Sequence, residues 1–104
     1  MGNKNLKSFD AIANSITPEA QYAKILLEEC SPRINRDRVL SVLKNQEIQP
    51  VSYEILHPEY PAIILLRIDA ENLREVVLKL TENGFNKLKA INPLPGAMPR
   101  ELLI

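Results

Sequence analysis

From Val51 to Ile55 the chain alternates: Val51, Tyr53 and Ile55 are apolar, Ser52 and Glu54 polar. That period of two predicts a strand with one face buried. Pro50 stands near its start, where a missing N–H harms a ladder least. His57-Pro58-Glu59-Tyr60-Pro61 carries two prolines in five residues and is a turn. Ala62 to Ile68 is apolar except for Arg67 and rich in β-branching. It predicts a central strand, covered on one face by helices and on the other by a second copy. From Leu73 the period changes. Leu73, Val76, Val77 and Leu80 form one helical stripe, with Arg74, Glu75, Lys79 and Glu82 opposite. Asp69 and Asn72 are placed to cap its start, and Gly84 marks the stop. Phe85, Leu88 and Ile91 lead out through a last strand.

Upstream, the pattern is more divided. Leu6, Phe9, Ile12, Ala13 and Ile16 have the spacing of a weak helix able to dock as an arm, and a frayed terminus is the competing expectation. Over residues 17–30 two periods overlap. Tyr22, Ala23, Leu26, Leu27 and Cys30 share a helical face, while Ala23, Ile25 and Leu27 alternate as a strand does. Thr17-Pro18-Glu19 also suits a helix start. The three strands downstream need a fourth to carry two helices on one face. The expectation is therefore a turn at 17–20 and a strand at about 22–29. Ser31-Pro32-Arg33-Ile34-Asn35 is a loop, and Asn35 caps a helix whose buried stripe is Val39, Leu40, Val42 and Leu43. Asn45-Gln46-Glu47 ends it. PLPGAMPRELLI, after Asn92, is an irregular Pro-rich tail, and its apolar Leu102-Leu103-Ile104 is expected to fold back on the core or on a sister subunit; a docking signal for another protein is the alternative.

The length of 104 residues suits one domain: an arm at 1–20, a folded unit at 21–92 and a tail at 93–104. Lys+Arg and Asp+Glu are 13 each. That balance gives no electrostatic reason to expect nucleic acid or an anionic membrane, and it leaves self-association unopposed. One cysteine excludes an internal disulfide and fits a reducing compartment. No apolar leader follows Met1, and Leu6 stands where a myristoylation motif needs Ser or Thr. A cytoplasmic location is the expectation.

Few residues suggest chemistry. Arg33 with Ser31 and Asn35 lies at a helix start, where N–H groups and the dipole favour a carboxylate; a solvated loop is the simpler alternative. His57 and Glu59 lack a third metal ligand nearby, so no metal is expected. Cys30 has no neighbouring His, Lys or helix N-terminus to activate its thiol and suits a small buried or half-buried residue. Tyr22 and Tyr53 lie on strands, but the central AIILLRI run offers no aromatic on which RNA bases stack. Glu28 and Glu29 are adjacent on a strand and point to opposite faces, so they do not form an acid–base pair. No enzyme and no cofactor are expected.

Laid end to end, residues 22–92 give β-α-β-β-α-β: an α+β, ferredoxin-like sandwich, a four-stranded antiparallel sheet with two helices on one face. Within that class, ILLEECSPRINRDRVLSVLKNQEIQPVSYEI and ENLREVVLKLTENGF resemble the ACT domain family. The resemblance implies a small regulatory module that dimerises through its sheet and binds an amino acid or other small metabolite at the interface. By the same resemblance the ligand lies near Glu29, Ser31, Arg33 and Asn35. ACT domains commonly have an acidic residue and then Pro-Gly in this loop; here Pro32 is followed by Arg33, which makes close backbone approach to a ligand harder. The alternative is a protein–protein assembly module with no small-molecule ligand.

Overall fold

The computed structural model describes residues 8–94. In chain order the elements are α1 (Phe9–Ser15), β1 (Tyr22–Glu28), α2 (Arg36–Asn45), β2 (Ser52–His57), β3 (Ile63–Asp69), a 3-10 turn at Ala70–Asn72, α3 (Leu73–Glu82) and β4 (Leu88–Ile91). The strands form one sheet in the order β2-β3-β1-β4, with every neighbouring pair antiparallel. From β1 to β4 this is the ferredoxin-like β-α-β-β-α-β sandwich.

Strand wins over helix at 22–28 because β1 is the second central strand, paired with β3 on one side and β4 on the other. Its overlapping periods have a cause: both faces are covered. Ala23, Ile25 and Leu27 enter the main core under α2 and α3, while Leu26 faces the other way and is equally buried. β3 repeats the arrangement. Ile64, Leu66 and Ile68 join the main core with Val39, Val42, Leu43, Val76, Leu80 and Phe85, and Ile63 and Leu65 lie on the second face.

On that face lies α1, packing Phe9, Ile12 and Ala13 on Leu26, Ile63 and Leu65. The helix starts at Ser8, whose Oγ accepts the Ala11 N–H at 3.1 Å. The arm expected at the N-terminus is thus a folded helix from Phe9 to Ser15. Leu6 and the Leu102–Ile104 end of the tail lie outside the described residues.

Two expectations need correction. Neither Asp69 nor Asn72 caps α3 with its side chain. The chain enters through the 3-10 turn, and Asn72 there is helical (φ −91°, ψ −4°), not in the extended conformation that turns a cap's side chain toward the first N–H groups. β2 keeps the predicted phase but not the burial. As the edge strand beyond α2 it leaves Val51 and Ile55 about 40% exposed, with Tyr53 half-buried.

Candidate functional site

The loop between β1 and α2 gathers Glu29, Ser31, Arg33 and Asn35. Glu29 leaves the end of β1 and pairs with Ala62 through its backbone, N–H to carbonyl at 2.9 Å. Its carboxylate then bridges two elements: Oε1 accepts the Ala62 N–H at 2.8 Å and Oε2 the Arg36 N–H at 3.1 Å. Ser31 Oγ accepts the N–H groups of Arg33 and Ile34, both at 3.2 Å, folding the loop onto itself. Asn35 caps α2, its Oδ1 accepting from Asp37 at 3.0 Å and Arg38 at 3.2 Å, while its Nδ2 donates to the Pro32 carbonyl.

The first three N–H groups of α2, from Arg36, Asp37 and Arg38, are therefore all taken by side chains of the same chain. An anionic ligand at this helix start meets a position already filled by Glu29. Of the four residues only Arg33 is exposed, and its guanidinium meets no partner among the described residues.

Arg36, the first residue of α2, carries more of the local geometry. Its Nη1 donates to the Pro58 carbonyl at 3.4 Å, and its own carbonyl accepts the Tyr53 hydroxyl at 3.4 Å. Burial raises the Tyr53 pKa above its ordinary value, against the pull of the Arg36 charge. These contacts seat the start of α2 over the end of β2. Leu40 on the outer flank of α2, and Val51 and Ile55 along the β2 edge, are left open, an apolar fringe 43%, 41% and 40% exposed. At the far end of that flank an open groove of about 410 Å³ is lined by Leu40, Leu43, Lys44, Glu47, Ile48, Gln49 and Pro50. The sequence hints at this fringe only through Leu40, which belongs to the predicted stripe of α2 yet is not covered.

The remaining candidates stay apart. His57 Nδ1 lies 3.1 Å from the Glu59 carbonyl oxygen, and among the described residues no three metal-ligating side chains gather. Cys30 Sγ contacts Asn86 Oδ1 at 3.2 Å. Glu28 pairs with Lys87 at 2.9 Å on the α1 side of the sheet, away from Glu29. No described helix is long and apolar enough to cross a membrane.

No protein-family model matches the chain, and no curated protein matches it in sequence. Among solved structures it is similar to one titled "Crystal structure of aspartokinase alpha and beta subunits", with a TM-score of 0.56 at 10% identity, over 74% of this chain and 55% of that one. The chain thus spans about half the length of that neighbour. At this identity the likeness is one of fold.

Proposed function

We propose that the chain is a non-enzymatic, ACT-like regulatory module that pairs with a second copy along β2 and takes a small metabolite, an amino acid first of all, where the two copies meet. The observation that carries this reading is the edge of β2. Among the described residues β2 pairs only with β3, so its outer N–H and C=O groups form an open ladder beside the Leu40, Val51 and Ile55 fringe. An antiparallel β2–β2 contact about a twofold axis normal to the sheet joins two such fringes and keeps both helix layers on one side. It also brings the Arg36 end of one copy to the groove of the other, where Lys44 and Glu47 supply both charges a zwitterion needs. The likeness to the aspartokinase structure supports the reading at the level of fold alone.

The test is molar mass by light scattering, with and without the twenty amino acids, for the native chain and Ile55→Lys. A dimer that Ile55→Lys abolishes, and that one amino acid strengthens, is the expected result. A monomer at every concentration overturns the reading. One observation favours an assembly module without a ligand: Glu29 already fills the α2 start. In that case the Ile55-dependent dimer is indifferent to all twenty amino acids.

A further inference from the structure

The second face of the sheet holds a feature that the regulatory reading does not use. α1 is joined to β1 by the non-helical segment 16–21, and one carboxylate hooks that segment to the sheet. Glu19 Oε2 lies 2.7 Å from Arg67 Nε and 3.3 Å from Lys24 Nζ. Lys24 and Arg67 are register partners across β1 and β3. The buried Arg67 N–H has no aligned acceptor, so the 2.7 Å approach is a charge contact and not a directed hydrogen bond. The Tyr22 ring braces the guanidinium from 4.6 Å. Lys24 Nζ also donates to the Thr17 carbonyl, and the Leu94 N–H to the Glu19 carbonyl at 2.8 Å.

We infer that α1 is an exchangeable arm: its seat on Leu26, Ile63 and Leu65 accepts the α1 of a second copy, and the Glu19 hook is the latch that holds the arm on its own chain. Three observations converge. The seat is a small apolar cluster separated by the sheet from the main core, so the arm leaves without opening that core. A seven-residue helix does not persist alone in water, so a released arm must re-seat or melt. The surface whose fit to Phe9, Ile12 and Ala13 is already on view is this same seat, and every copy of the chain carries one. Segment 16–21 spans up to about 20 Å when extended, enough to hand the arm across to a neighbour. Zero net charge puts no long-range repulsion between copies. Exchange of an identical element in this way needs no contact absent from the monomer.

The experiment mixes a ¹³C-labelled chain with an unlabelled one and records isotope-filtered NOEs from the Phe9 ring to the methyl groups of Leu26 and Ile63. It is run on the native chain and on Glu19→Gln, which keeps shape and removes charge. The expected result is interchain NOEs that grow with concentration and become severalfold stronger in Glu19→Gln. NOEs confined within single chains at millimolar concentration in both proteins overturn the inference. So does an α1 in Glu19→Gln that melts without re-seating. Repeating the mixture with Ile55→Lys keeps this result separate from pairing along β2, since the arm exchanges on the opposite face of the sheet.

Discussion

Two residues hold the same structural position and differ in cost. α2 and α3 end in the same way: the N–H of the second residue past the cap reaches back to a buried leucine carbonyl, Ile48 to Leu43 at 2.9 Å and Phe85 to Leu80 at 3.0 Å. Each motif needs a left-handed residue between cap and apolar partner. At the end of α3 it is Gly84, at φ +100°; at the end of α2 it is Glu47, at φ 57°. A side chain in that region costs about 1 kcal/mol relative to glycine. Glu47→Gly is therefore expected to raise stability by about that amount in urea unfolding. Gly84→Ala is expected to lower it by more, because a Cβ there stands 2.8 Å from Ile34 Cδ1 as well as adopting the unfavourable φ. Adding Ile34→Val, which removes that methyl, should recover the steric part of the loss and leave the backbone part. A Gly84→Ala variant as stable as the native chain would contradict the assignment.

At the scale of elements, the attachment of α1 is electrostatic as well as apolar. The nearby Arg67 guanidinium, opposed by desolvation and helped by Lys24, holds the Glu19 carboxyl below its ordinary pKa of 4.5. The seated arm then binds fewer protons at Glu19 than the free arm does. Its stabilisation is complete above the ordinary carboxylate range and is lost as pH falls through the lowered value. Lys24, Arg67 and Tyr22 face Glu19; Asp10, Glu28 and Lys87 flank the helix itself. Acidification below pH 4 is expected to weaken hydrogen-exchange protection of α1 before that of β3, and Glu19→Gln to flatten this early step. The element pattern of the main body was legible in sequence. Strict alternation marks β2, a 3.6-residue stripe marks α3, and a sheet in need of a fourth strand decides β1. The spacing of Phe9, Ile12 and Ala13 announced an arm able to dock, but its seat on Leu26, Ile63 and Leu65 was not legible, because the helix lies distant in sequence from β3. Nor was the closure of the β1–α2 loop, since Glu29 reaches two backbone N–H groups that no side-chain spacing announces. The β2 fringe was hidden for a different reason: alternation reports which way a side chain points, not whether anything lies above it.

At the scale of the whole molecule, one sheet separates two cores of unequal size, and they should open separately. Among the described residues, twelve buried ones fill the helix-layer side, and four, Phe9, Ala13, Leu26 and Ile63, fill the other. β1 and β3 belong to both, so global unfolding empties both, while release of α1 empties only the smaller. Phe9→Asp removes the ring that fills the smaller core and puts in its place a carboxylate too short to keep the apolar contacts, near Lys87, whose Nζ lies 5.5 Å from the native ring. The free-energy loss it causes cannot exceed what seating the arm contributes, because beyond that point the arm detaches and the aspartate returns to water. An aspartate buried at Val76, in the larger core, has no such escape and is expected to unfold the chain. Phe9→Asp should therefore leave a cooperative urea transition and protected amides in β1 and β3, with α1 amides such as that of Ile12 exchanging at the rate of free peptide. If protection in β1 and β3 collapses together with that of α1, the two cores form one cooperative unit, and an arm that leaves without opening the sheet is ruled out.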